Sequence, residues 1–166
     1  MREIASALCL LGLVFFMLWC VDSLSQSPIN YADPSLVVAG QAPWGRVKLR
    51  KASDGSVEGK LPWGSTKLQR EDSRIFGKSP WGSVDLTYID GRLSGKMPWG
   101  SANLIVGDTT LTGKLPWGSV ELRLSGQNLD GKLPWGSAHL RLGDQYKSLT
   151  NPDVLLAIVA LLSDKT

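Results

Sequence analysis

The sequence predicts an all-β repeat protein, and three observations carry that prediction. Six Pro-Trp-Gly triplets begin at Pro43, Pro62, Pro80, Pro98, Pro116 and Pro134, spaced 19 and then 18 residues four times over. Between them the chain alternates apolar and polar residues with a period of two, as in Val120-Glu-Leu122-Arg-Leu124. Period two marks half-buried strands, and the 3.6-residue period of an amphipathic helix is absent here. A fixed period held over six units is the signature of serial structural repeats. The expected form is a β-solenoid of about six 18-residue units with Pro-Trp-Gly corners. The alternative is an antiparallel β-meander curled into a groove.

Taken in chain order, the first element is apolar. Ile4–Val21 runs 18 residues without a charge and is preceded by Met1-Arg2-Glu3. As a helix it would be about 27 Å long, enough for a bilayer core. Residues 1–25 therefore read as an N-terminal hydrophobic helix, either an uncleaved membrane anchor or a signal peptide. Trp19 near the outer end suits an anchor. Both readings place the remainder outside the cytoplasm, in the periplasm or at the cell surface. Cys9 and Cys20 both lie in this stretch, so the rest of the chain has no disulfide framework and no thiolate metal site. Residues 26–35 read as a linker.

Residues 36–146 form the repeat domain. A full unit reads Leu111-Thr-Gly113-Lys114-Leu115-Pro116-Trp117-Gly118-Ser119-Val120-Glu121-Leu122-Arg123-Leu124. Each unit holds two five-residue runs and two turns. One turn is Pro-Trp-Gly-Ser, where Pro presets φ and Gly accepts positive φ. The other is rich in Asp and Gly, as in Asp90-Gly91. In a solenoid, equivalent residues stack about 4.8 Å apart; in a meander they lie two strands apart, about 9.6 Å. Lys60, Lys78, Lys96, Lys114 and Lys132 share one repeat position. At 4.8 Å in water neighbouring ammonium groups repel by about 0.9 kcal/mol before screening, which favours the meander. A one-sided meander leaves its apolar face bare unless it closes, curls or pairs, whereas a solenoid hides that face unaided.

After Gly143 the pattern breaks. Thr150-Asn151-Pro152-Asp153 is a helix start with a capping side chain, Pro at the first turn and an early acid. Val154–Leu162 follows, apolar on every side but too short to span a bilayer. Residues 150–163 are therefore expected to be a helix that caps the last coil.

Candidate chemistry is sparse. His139, the single histidine, occupies a position held elsewhere by Lys48, Lys67, Asp85, Asn103 and Glu121. That is an exposed tooth of a variable comb rather than a catalytic imidazole. No enzyme, cofactor or metal is expected. Asp54, Asp72, Asp90, Asp108 and Asp144 lie in the second class of turn, where Asp bonds its own backbone. The lysine column is the candidate stripe for an anionic lipid or polysaccharide. Trp44, Trp63, Trp81, Trp99, Trp117 and Trp135 form either a packing ladder or an aromatic binding strip. Net charge is +3, and without residues 1–25 there are 17 basic and 13 acidic residues, too mild an excess for nucleic acid.

Two family resemblances rest on rhythm over residues 36–143. Gly113-Lys-Leu115 followed by Val120-Glu-Leu122 is similar to the coil pattern of bactofilins, β-helical scaffolds that polymerise. Leu111-Thr-Gly113-Lys-Leu115-Pro-Trp117, an N-terminal apolar segment and the Leu155–Leu162 tail resemble AsmA-like proteins and the type II secretion protein N. In those, an anchor precedes exported β-repeats. No functional residue carries over from either. The resemblances imply a cell-envelope structural or scaffold protein that self-associates or binds an envelope partner. The alternative they imply is a lipid-transport or secretion component with a hydrophobic β-groove.

Overall fold

A computed structural model describes residues 28–164; the expected anchor or signal peptide over 1–25 lies outside the described residues. Residues 31–166 form one compact unit. Its strands are β1 (Leu36–Ala42), β2 (Gly45–Lys51), β3 (Val57–Leu61), β4 (Gly64–Glu71), β5 (Arg74–Ser79), β6 (Gly82–Ile89), β7 (Arg92–Met97), β8 (Gly100–Val106), β9 (Thr110–Leu115), β10 (Gly118–Ser125), β11 (Asn128–Leu133) and β12 (Gly136–Leu142). One helix, α1 (Pro152–Leu162), follows.

The strands form a closed antiparallel barrel in which each pairs with its sequence neighbours and β12 pairs with β1. Two expectations are corrected. The repeat is not a β-solenoid, because each unit is a hairpin paired antiparallel with the next, as in Glu121↔Lys132 and Leu124↔Leu129 between β10 and β11. Nor is the sheet an open groove, because Val38↔Leu142 and Gly40↔Leu140 join the ends. Six hairpins make one ring of twelve strands, and the lysine equivalents sit two strands apart.

Local sequence explains each hairpin. Pro-Trp fills a two-residue loop between paired residues, as Leu115↔Gly118 flank Pro116-Trp117. The Asp90-Gly91 loop has φ of 49° and 76° between Ile89↔Arg92. Positive φ at both positions is the hairpin geometry that matches strand twist. Mid-strand glycines let the sheet curl. A Cβ on Gly113 would stand 2.4 Å from the Asn103 carbonyl oxygen on the adjoining strand, an approach that only glycine permits.

Alternation now has a direction. Leu93, Leu104, Leu111, Leu122 and Leu129 face the lumen and are fully buried, while Lys96, Asn103, Thr112, Glu121 and Asp130 face solvent. Charged residues cover the outer wall, the opposite of a lipid-embedded barrel. Among the described residues no helix is long and apolar enough to cross a membrane.

Helix α1 forms where the C-terminal capping helix is expected, and the body it closes is a barrel, into whose lumen it packs. Val154 to Leu162 are all at most 4% exposed, although they project in every direction around the helix. Only a lumen lined by apolar side chains can bury every side of a helix, and α1 packs on β1, β2, β3 and β4. The dimensions agree. Twelve strands about 4.8 Å apart and tilted about 40° make a ring about 24 Å across. One layer of side chains, about 5 Å per wall, leaves about 14 Å for a helix about 10–12 Å wide.

Both ends of the helix are tied. At its start Asn151 Oδ1 accepts from the Asp153 amide at 3.0 Å. Asp153 Oδ2 accepts from Lys51 Nζ at 2.9 Å and Tyr146 Oη at 3.0 Å. The preceding segment crosses the barrel mouth, with Tyr146 and Leu149 buried beneath it. Asp108 fastens it, accepting from the Ser148 and Thr150 hydroxyls at 3.0 Å each and, through its carbonyl, from the Leu149 amide at 2.9 Å. At the far mouth Trp81 Nε1 donates to Asp164 Oδ1 at 3.0 Å.

Candidate functional site: the tryptophan rim and the lysine belt

Every Pro-Trp loop lies at the same end of the barrel, so the six Trp that share a repeat position share a rim. They form a ring rather than a line. Trp44 packs edge-on against Trp135 with centroids 5.6 Å apart, which joins the first turn to the last. Trp81 lies 6.4 Å from Trp63 and 5.6 Å from Trp99. Backbone packing closes the same ring: a Cβ on Gly136 would lie 3.2 Å from Pro43.

The ring holds both packed and exposed indoles. Trp44, Trp99 and Trp135 are half-buried, whereas Trp63, Trp81 and Trp117 are 53%, 42% and 47% exposed. Trp44 is turned in far enough that its Nε1 is buried without a hydrogen-bond partner. The exposed indoles present amphipathic rings to whatever meets this end of the barrel.

Lys60, Lys78, Lys96, Lys114 and Lys132 stand on the outer wall of β3, β5, β7, β9 and β11, three residues before each Trp, and all are exposed. Gln41 takes the equivalent place in the first unit. The register shows what faces each one across the sheet. Lys96 opposes Asp85, Lys114 opposes Asn103, Lys132 opposes Glu121, and Gln41 opposes His139. Lys60, by contrast, opposes Lys48, and Lys78 opposes Lys67. Like charges directly opposite are destabilising. In the sequence Lys48 and Lys67 belong to the variable comb that holds His139. Their meeting with Lys60 and Lys78 follows from hairpin pairing, which a solenoid register does not produce.

These four lysines, with Arg50 and Ser65, line a concavity of about 670 Å³ over β2–β5. The Glu58 carboxylate is part of the same lining, and other carboxylates reach its edges. Lys67 Nζ lies 2.7 Å from Asp54 Oδ2 and 3.9 Å from Glu58, and Arg50 lies 3.4 Å from Asp33. The hydrogen bond from Lys67, with two more from Ser56, holds the Asp54 carboxyl well below the usual carboxylate range, and Asp54 raises Lys67 in return. Among the described residues no ion pair engages Lys48, Lys60 or Lys78.

The opposite rim carries the Asp-containing turns. Asp54 Oδ1 accepts from the Ser56 amide at 3.0 Å, an Asx turn, and Asp33 does the same for Ser35 at 2.9 Å. The aspartates are spread around the barrel mouth on separate hairpins. Among the described residues no three His, Cys, Asp or Glu come together as a metal site. His139 is exposed with Nδ1 3.0 Å from Asp130 Oδ1. Comparisons with protein-family models, curated proteins and solved structures give no match to the chain.

Proposed function

We propose that the chain is a non-enzymatic, envelope-facing scaffold that works through the outside of its barrel. The observation that carries this reading is the filled lumen. Most β-barrels that carry small molecules hold them inside, and here that space is taken by the chain's own helix. Seven large aliphatic residues of α1 are buried, each contributing about 1.5–3 kcal/mol by area, so displacing the helix costs on the order of 10 kcal/mol. That is comparable with the stability of a whole domain, about 5–15 kcal/mol. A lipid would have to replace the entire apolar surface of the helix to enter.

The apolar segment Ile4–Val21 supports export or membrane attachment with the barrel outside the cytoplasm. Closure of the sheet leaves no strand edge for edge-to-edge growth, so self-association or an envelope partner must use the outer wall or the rims. The test is the lipid content and assembly state of the purified chain. Mass spectrometry of a solvent extract should find no stoichiometric lipid, and sedimentation should show self-association or a retained partner. One mole of lipid per mole of chain would replace this reading with a carrier. A strictly monomeric chain with no envelope partner would remove the scaffold role.

A further inference from the structure

The repeat supplies its own internal control, because six equivalent positions can be compared within one molecule. At four of them the residue facing the column position is neutral or of opposite charge, or the column position is itself neutral. At two adjacent ones, Lys48–Lys60 and Lys67–Lys78, lysine faces lysine. The fold tolerates Asp, Asn or Glu there, as Asp85, Asn103 and Glu121 demonstrate. The repulsion is therefore not required by the architecture, and it concentrates cations on one sector.

That sector has a second peculiarity. The turn joining β3 to β4 stands directly above it and carries Trp63, the most exposed of the six rim tryptophans at 53%. Trp81 lies beside it at 6.4 Å. Lys60 and Lys78 stand two residues before Pro62 and Pro80, or about 7 Å along a strand from those turns, and Lys48 lies across the sheet from Lys60. The four-carbon stems of Lys48, Lys60 and Lys78 can carry their ammonium groups toward the rim, whereas Lys67 is held by Asp54 of the opposite rim. An indole at the edge and ammonium groups a few ångströms behind it reproduce the layering of a lipid headgroup region. Trp settles at the apolar–polar boundary there, and cations meet the phosphates.

The geometry points to the Trp63–Trp81 rim edge, with Lys48, Lys60 and Lys78 behind it, as a docking surface for an anionic phospholipid bilayer. Insertion is shallow, because the wall beyond the rim is charged. This deepens the scaffold reading and rests on it in one respect: the outside of the barrel, not the lumen, is the working surface.

The experiment uses residues 28–166, which contain the whole compact unit with its strand ring and lumen complete. Circular dichroism verifies the fold of every variant. Partitioning onto phosphatidylcholine vesicles with and without phosphatidylglycerol is measured by sedimentation and by Trp emission. We expect binding only to the anionic vesicles, with a blue shift, weakening as salt rises. Each lysine near an anionic surface contributes about fivefold, so Lys60→Gln with Lys78→Gln should weaken partitioning about 30-fold. The same double change at Lys114 and Lys132, across the barrel, should alter it less than about twofold, because those side chains face away from the bilayer. Trp63→Ala should weaken binding several-fold and abolish most of the blue shift.

Equal losses from the two lysine pairs would overturn the sector assignment in favour of diffuse attraction. No binding to anionic vesicles would overturn docking altogether. Binding that survives Trp63→Ala but is abolished by free glycerol phosphate would make the concavity a site for soluble phosphate compounds instead. None of these outcomes is the stoichiometric lipid that would sink the scaffold reading, so the two ideas fail separately.

Discussion

Gly113 and Gly126 show how differently the same residue type acts within one repeat. Gly113, with φ of 151°, allows the Asn103 carbonyl to approach to a distance that a methyl group cannot share. Gly126 has φ of 62° in an open turn, with nothing within 4 Å of a Cβ. Gly113→Ala should therefore cost about 3 kcal/mol or more, through backbone displacement in the wall. Gly126→Ala should cost about 1–2 kcal/mol, the left-handed penalty alone. Urea unfolding of the two variants checks the order, and equal losses would contradict the role given to Gly113 in curvature. The tryptophans divide likewise. Trp63→Ala should cost under about 1 kcal/mol, and Trp99→Ala, at a half-buried site against Trp81, about 1–3 kcal/mol. The Pro-Trp-Gly motif was legible as a turn from residue chemistry. Which indoles turn inward was not, because that depends on neighbours 18 residues away in either direction.

At the scale of elements, the helix start is the most testable. Asn151 caps it, and Tyr146 with Lys51 grips Asp153. Asn151→Ala should cost about 1 kcal/mol. Burial pushes the Tyr146 phenol up to about 12, with the adjoining Asp153 carboxylate adding to the rise. A phenol raised above its ordinary value of 10 favours the folded state in its neutral form. That contribution is complete below pH 10 and is lost as pH rises from 10 to about 12. The loss is on the order of 2 kcal/mol. Tyr146→Phe should be less stable than the parent at pH 8, through the missing hydrogen bond, yet decline less steeply across that alkaline window. Parallel declines in thermal melts at the two pH extremes would show that Tyr146 does not titrate with unfolding. The cap itself was legible from Thr150-Asn151-Pro152-Asp153, since capping is local. The partners Lys51 and Asp108 were not, because they come from strands and turns far away in the chain.

For the whole molecule, the ring and the helix depend on one another. Removing residues 151–166 leaves a lumen about 14 Å wide lined by leucine, a void that close packing does not sustain. The shortened chain should bind hydrophobic dye, lose near-ultraviolet circular dichroism and become sensitive to protease. If it melts within a few degrees of the parent, the helix is not a structural core. The strands, both turn types, the repeat count and the all-round apolar helix were determined by the sequence itself. They rest on period-two patterning, turn chemistry and capping, which act over a few residues. Closure into a barrel, the place of the helix and the meeting of Lys48 with Lys60 were decided only by tertiary structure. An 18-residue repeat of two alternating strands satisfies a solenoid and a meander equally at short range. The choice is made when β1 finds β12 about a hundred residues away and an apolar face must be covered on all sides. Once six hairpins close, the space they enclose is the width of a helix, and α1, with no polar side, is buried there.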